Sequence, residues 1–394
     1  MRPYSRVYAS VNLDAAAENM RAMRESLPPG TAMMGVVKAD GYGHGAVPIA
    51  KAIDRYAAGY GTATADEAFT LRRHGITKPI LVLGPVHASR YEELVRGHIC
   101  PAIFRMEEAE KLSETALKLG EEAGVHLAVD TGMCRIGMRP NRESAEMVLA
   151  MSRLPGLRLE GLFTHFARAD ERDKTSYEAQ LQAYRDFVEY LRALGVSIPL
   201  KHCSNSAAIL DGLDSNGLNM VRAGIALYGL YPSEEVDKNR VRLRPVMELK
   251  SAVTYIKDVE PGAAVSYGGT FVADRPMRVA TIPVGYGDGY PRSLSNRGDV
   301  LIRGKRARIL GRICMDQFMA DVTAIPEARE DDAVTLLGKD GEEEITAGEI
   351  AQRSGGFHYE LVCGIGKRVP RVYVSGEKII GTKDYFDDVY KGFC

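Results

Sequence analysis

The chain has 394 residues, 45% of them hydrophobic, and its 51 basic and 52 acidic side chains leave a net charge of −1. That length exceeds one ordinary core, so two domains are expected. The balanced charge excludes a general field for nucleic acid or an anionic membrane. The N-terminus, Met1 to Arg6, lacks the apolar stretch of a signal peptide, and no apolar run approaches bilayer length. Cysteines 100, 134, 203, 314, 363 and 394 include no C-x-x-C pair, and no H-E-x-x-H occurs. The expectation is a cytoplasmic protein with reduced thiols, no disulfide framework and no metal site.

From about Asn12 to Leu230, short apolar runs alternate with amphipathic helices. The runs are Met33–Val37, Ala58–Thr62, Ile80–Leu83, Ile99–Ile103, Val125–Val129, Leu159–Thr164, Leu200–His202 and Asn219–Arg222. Each is too short and too uniformly apolar for a half-exposed strand. Leu13, Ala16, Met20, Met23 and Leu27 step at helical spacing with Asp14 as a cap candidate. Leu112, Ala116, Leu119 and Ala123 form a second stripe before Gly124, and Tyr177 to Leu194 a third before Gly195. Eight strands alternating with helices predict a (β/α)8 barrel over 12–235. A doubly wound open sheet is the rival, but it would usually need fewer strands and a glycine-rich loop after the first.

Ser233 to Arg242 is charged and weakly patterned, which predicts a linker. Beyond it, Arg306 to Ile313 alternates in strand fashion, and turns are signalled at Pro261-Gly262, Asp288-Gly289 and Asp340-Gly341. Residues 242–394, with 1–11, therefore read as a mainly β domain, and Thr346 to Arg353 is its only good helix candidate.

Polar residues end several barrel strands, where barrel enzymes place their chemistry. Lys38 opens Lys38-Ala39-Asp40-Gly41-Tyr42-Gly43-His44-Gly45, whose glycines let the backbone curl around a ligand. A lysine there either serves that ligand or snorkels to solvent, and position alone leaves both open. Arg135 follows the fifth strand, His165 ends the sixth, Asn205 and Ser206 follow the seventh, and Arg222 ends the eighth. Loops after strands seven and eight commonly bind phosphate, and Ser206, Gly224 and Ile225 offer a hydroxyl and backbone N–H groups. A helix starting there would add its dipole. A lysine and a phosphate cup on one rim are what pyridoxal phosphate requires.

With these residues in view, VKADGYGHG from Val37, GMCRIG from Gly132, THFA from Thr164, SNSA from Ser204, RAGIALYG from Arg222, VSYGGT from Val265, VGYGDGYPR from Val284, CMDQ from Cys314 and RVPR from Arg368 resemble the alanine racemase family, over essentially the whole chain. The resemblance implies a homodimer whose β domain contributes to the partner's active site, pyridoxal 5'-phosphate as cofactor, and L-/D-alanine interconversion that supplies peptidoglycan. It implies that Lys38 holds the cofactor and moves the proton on the D face, while Tyr267 from the other subunit acts on the L face. Arg222 faces the pyridine nitrogen, with His165 supporting Arg222 and Tyr267. Arg135 contacts the cofactor's phenolic oxygen and the substrate carboxylate, which Met315 approaches through its backbone. Tyr42, Ser206, Gly224, Ile225 and Tyr359 bind the phosphate.

Lysine and tyrosine both titrate near pH 10 unperturbed, so each base needs tuning, and Arg135, Arg222 and His165 are candidate neighbouring cations. An arginine at the ring nitrogen keeps its own proton, which disfavours side reactions that a more electron-poor ring would allow. Family members usually carry a carbamylated lysine two residues before the aspartate that precedes Thr131; here Ala128 stands there. An anion, a water or another side chain must then support Arg135, and a small bound anion is the expectation. Gly364-Ile365-Gly366 departs mildly from the family's run and suggests no function.

A serine or broad-specificity racemase is the nearest alternative; Tyr359, by limiting space beside the substrate side chain, favours alanine. The missing signal peptide also argues against secreted broad-specificity relatives. A barrel decarboxylase would be expected to place an acid where Arg222 lies. A non-catalytic cofactor carrier or a scaffold would leave Tyr267 and Met315 unexplained.

Overall fold

The structure, a computed structural model, describes residues 4, 6–213 and 218–386; Cys394 and the first three residues lie outside them. The chain divides into two compact units, one formed by Ala16–Gly41 and Ala46–Arg244, the other by the remaining segments.

The first unit is a closed barrel of eight parallel strands: β1 (Ala32–Val36), β2 (Gly59–Thr62), β3 (Ile80–Val82), β4 (Ile99–Ile103), β5 (Ala123–Ala128), β6 (Leu157–Phe163), β7 (Leu200–His202) and β8 (Met220–Ala223). β8 closes onto β1, with Ala32 opposite Met220 and Gly35 opposite Ala223. Residues such as Met34, Leu81, Cys100 and Met220 meet in the interior, which is why the strands read as uniformly apolar runs. Burial of each large apolar side chain contributes roughly 1.5–3 kcal/mol.

Three helix readings are corrected. The cap of the helix Leu13–Glu25 is Asn12, whose side chain accepts from Ala15 N at 2.9 Å. Asp14 instead accepts from Ser375 Oγ at 2.8 Å. The stripe through Leu112 ends at Leu119 with left-handed Gly120, and Ala123 already belongs to β5. A second C-terminal helix, His358–Gly364, follows Ala347–Ser354. Residues 233–242 form no regular element but are packed, with Val236 and Val241 buried and the Tyr231 hydroxyl accepting from Leu243 N at 3.1 Å. Asn19, from the N-terminal helix, bonds Leu227 O and Arg244 O and so ties that helix to the segment after β8.

The second unit is built on an 11-stranded sheet. Its N-terminal strand Val7–Asn12 lies between Met247–Ala252, antiparallel, and Arg371–Ser375, parallel. In Lys305–Leu310 the arginines 306 and 308 face solvent while Ala307 and Ile309 are buried, the alternation expected of a one-sided sheet. Among the described residues no helix is long and apolar enough to cross a membrane.

Candidate active site

β1 delivers Lys38 to the C-terminal rim, half-buried, and the backbone then turns left-handed. Ala39, Asp40 and Tyr42 have φ of 53°, 49° and 49°, in sequence with glycines 41, 43 and 45. For residues with a Cβ this conformation costs roughly 1–2 kcal/mol each, so the segment stores strain beside the lysine. Hydrogen bonds hold it: Gly41 N to Val37 O at 2.8 Å, Ala39 N to Glu67 Oε1 at 2.7 Å, and Ala46 N to Asp40 Oδ1 at 2.9 Å. The turn is therefore not the work of its glycines alone.

Arg222, at the end of β8, is buried and makes five hydrogen bonds to neutral acceptors. Its NH1 donates to His202 Nδ1 at 2.8 Å and His202 O at 3.0 Å. Its NH2 reaches Thr164 O at 2.8 Å, Cys203 O at 3.0 Å and His165 Nδ1 at 3.2 Å. Nε–H takes part in none of these. Burial lowers the guanidinium to about 10, which still leaves it charged at neutral pH.

Because arginine only donates, Nδ1 of His202 must be the acceptor and its proton must sit on Nε2. That Nε2–H donates to His126 Nδ1 at 2.9 Å, so the tautomers of both rings follow from Arg222. Burial first, then the nearby charge, lowers His126 to about 4 and His202 well below the usual histidine range. The β5–β6 register skips Glu160 between Val125–Leu159 and His126–Gly161. Gly161 leaves room for the ring, since a Cβ there would stand 2.2 Å from His126 Nδ1.

His165 is lowered to about 3 by burial, then by Arg222, Arg135 and Lys38. It is neutral, not one of the cations expected to tune the bases. The same influences bring Lys38, Arg135, His165 and Arg222 into one electrostatic neighbourhood. Gln180, from the helix Thr175–Ala193, ties the loop of Arg135 to that of His165, donating to Thr131 Oγ1 and His165 O at 3.2 Å each. Arg135 itself is exposed and takes part in no hydrogen bond or ion pair among the described residues. Ala128 is buried against Ala102 and Phe163.

Ser206 Oγ accepts from Gly224 N at 2.9 Å and Ala226 N at 3.2 Å, which leaves its own O–H to donate. Ile225 opens a single 3-10 turn, Ile225–Tyr228, and a first-turn N–H has no acceptor within its own helix. The turn is too short for the helix dipole anticipated there, so the donors act as individual groups. Ser204 Oγ is buried without a hydrogen-bond partner among the described residues.

In the second unit, Tyr42 and Tyr359 approach with ring centroids 6.3 Å apart, and Phe357 stacks on Tyr359 at 4.5 Å. Burial, then the Cys363 thiol, pushes the Tyr42 phenol well above its usual range, so it remains a hydrogen-bond donor. Tyr267 and Met315 are 71% and 51% exposed and sit on neighbouring loops, linked by Ser266 Oγ and Cys314 Sγ at 3.5 Å. The Met315 loop is braced from below. Asp288, 1% exposed, receives Arg6 through both oxygens at 2.6 and 2.9 Å and Gly285 N at 3.0 Å. The segment so held donates from Tyr286 N to Cys314 O at 3.1 Å and from Gly287 N to Met315 O at 2.9 Å.

Sequence reasoning missed His126, His202, Gln180, Asp288 and Arg371. Each is an ordinary residue type with at least one partner well separated along the chain; only the quoted motifs containing Asp288 and Arg371 marked their neighbourhoods.

Comparison with known proteins agrees with this architecture. Residues 11–232 match the alanine racemase N-terminal domain and 246–373 the alanine racemase C-terminal domain. The chain is 45% identical to the alanine racemase of Halothermothrix orenii, over 93% of this chain and 96% of that protein. It is 46% identical to that of Desulfovibrio desulfuricans, over 94% and 98%. Among solved structures it superposes on the alanine racemase of Clostridium difficile 630 with a TM-score of 0.93 at 40% identity, covering 98% of this chain and 100% of that one. The Bacillus anthracis enzyme with bound L-Ala-P gives 0.90 at 35%, covering 99% and 100%. A parallel barrel with this rim, joined to this β unit, defines a racemase. The chain belongs to the alanine racemase family.

Proposed function

We propose that the protein interconverts L- and D-alanine by two bases, Lys38 on the D face and Tyr267 of the partner subunit on the L face, with pyridoxal 5'-phosphate as cofactor in a homodimer with shared active sites. This reading rests on Arg222, a buried guanidinium with neutral acceptors on both terminal nitrogens and Nε–H outside those bonds. The donor set fits the cofactor: Ser206 O–H, the Ile225 N–H and the Tyr42 phenol suit a phosphate, Gly224 N–H holds Ser206 Oγ in place for it, and the unpartnered Ser204 hydroxyl is a further donor nearby in sequence. When bound, pyridoxal phosphate withdraws electrons from the amino acid's α-carbon and acidifies its hydrogen.

Lys38 Nζ would hold the cofactor covalently in the resting enzyme, and its amine, freed when the substrate's amine takes its place, would take or return the α-proton on its side. Tyr267 Oη of the partner subunit does so on the opposite side. A neutral lysine and an ionised tyrosine are the forms that accept a proton. Neutral His165 orients Arg222 and adds no charge. Arg222 would give the ring nitrogen a hydrogen bond without surrendering a proton, where a decarboxylase would use an acid. Arg135 and the Met315 backbone receive the substrate carboxylate. The packed rings of Tyr42, Phe357 and Tyr359 support a small side chain pocket and hence alanine over serine. With Ala128 in place of a carbamylated lysine, a small anion beside Arg135 completes its support. The free thiols of Cys100, Cys134, Cys203 and Cys314 support a reducing, cytoplasmic setting in which the product supplies peptidoglycan.

The test is D-alanine formation by purified protein, with serine and lysine in parallel and chloride varied. Alanine is expected to react fastest, with saturable activation by chloride. Lys38→Ala should lower the rate by roughly 10²–10⁴-fold and remove the bound cofactor's absorbance. Equal turnover of serine, carbon dioxide from lysine, or an unaltered Lys38→Ala enzyme would each refute the corresponding part. Growth of depleted cells that D-alanine alone does not restore would refute the peptidoglycan role.

A further inference from the structure

Arg371 is 2% exposed, and among the described residues no carboxylate pairs with it. A buried guanidinium without a counter-charge is costly to keep, so its partners carry information. Its hydrogen bonds go to four main-chain carbonyls, and the Tyr385 ring lies 5.4 Å from its Cζ. Nε donates to Gly43 O at 2.9 Å, NH1 to Gly366 O at 2.7 Å and Val369 O at 2.6 Å, and NH2 to Ile365 O at 2.6 Å. One edge of the fork therefore grips the residue after Tyr42. The other grips the turn directly after the helix His358–Gly364, which carries Tyr359.

The base of the fork is rigid. Arg371 begins the strand Arg371–Ser375, hydrogen-bonded between Val7–Asn12 and Lys378–Lys383. The gripped loop lies directly on its bed: a Cβ at Gly43 would stand 2.2 Å from Val362 O, and one at Gly45 2.0 Å from Tyr373 Oη. Ile365 and Gly366 thus acquire a role as acceptors, and Gly366 N also donates to Asp288 O at 2.9 Å.

We propose that Arg371 is a positioning residue for the cofactor's phosphate: it holds the Tyr42 and Tyr359 segments at one fixed separation. This rests on the reading above that these tyrosines bind phosphate. Lysine could not substitute, because a point donor cannot reach acceptors on both edges of a planar fork. The phosphate would then meet two donors whose spacing is set before it arrives, which lowers the ordering cost of binding.

The experiment compares binding of pyridoxal phosphate with that of pyridoxal, which lacks the phosphate, by absorbance titration of apo-protein prepared from the holoenzyme. Arg371→Lys should weaken pyridoxal phosphate about tenfold or more and leave pyridoxal within about twofold. A purely structural role would weaken both alike, and that result, or no change in either, overturns the proposal. Tyr42→Phe serves as the reference. If it lowers the ratio and Arg371→Lys does not, the proposal fails alone; if it leaves the ratio unchanged, the reading of Tyr42 fails and the proposal with it. Should Arg371→Lys not fold, Gly43→Ala displaces the same loop with Arg371 intact. It must show the same selective loss, and an unchanged ratio overturns the proposal.

Discussion

His126, His165 and His202 are each hydrogen-bonded to Arg222 or to one another, and all three are neutral at pH 7. Their folded pKa values lie below the ordinary 6.5, at about 4 for His126 and about 3 for His165, with His202 also well below it because of its burial. Between those values and 6.5 the unfolded chain binds more protons than the folded one. Stability is therefore full above about pH 6.5 and falls with acidification, by up to about 1.4 kcal/mol per pH unit for each histidine. Urea unfolding at pH 7, 6 and 5 should show proton uptake approaching three per chain. A flat or rising profile would mean that these rings are solvated or charged in the native state. A lone histidine near a core usually packs, and that expectation hid His202, the partner of Arg222, and His126 behind it. His126 and His202 are 76 residues apart, and only barrel closure makes them a pair.

At the scale of elements, the barrel was legible because parallel strands buried on both faces must be short and uniformly apolar. The placement of Lys38, His165 and Arg222 at the strand ends was legible too, because each ends or directly follows one of those runs. The helix His358–Gly364 was not: it is seven residues long and buries only Leu361 and Val362 on one side, too little periodicity to register. Loop-on-loop docking leaves an even weaker trace. Gly285 has no positive φ, yet a Cβ there would stand 2.3 Å from both Cys314 O and Met315 O. Gly285→Ala should therefore push the Met315 loop away, since overpacking of this kind costs about 1–3 kcal/mol. The expected kinetic signature is a KM for alanine raised roughly tenfold with a smaller change in kcat. Gly348→Ala, on an open helix surface, is the control for adding a methyl group. If the two variants show the same KM, the loop does not set the substrate contact.

Tyr267 is exposed in the β unit, although a phenol in the proton-transferring role proposed for it works best where water is excluded. The proposed sharing of sites between subunits is testable by mixing. Lys38→Ala and Tyr267→Phe are each expected to be nearly inactive. Random re-pairing of equal amounts would leave one intact site in each mixed dimer, or about a quarter of the wild-type sites. No recovery after verified exchange would assign both residues to one chain.

The route of the chain between its units has a consequence for inheritance. The first 15 residues belong to the β unit, the next run to the barrel, Tyr42–Gly45 to the β unit again, and the chain returns for good at Pro245. A gene fragment encoding 16–244 would carry Tyr42 but not the carbonyl bed or the Arg371 fork that shapes its loop. Such a fragment is expected to lose the conformation of residues 42–45, and restoring it requires the residues of the other unit that pack on them.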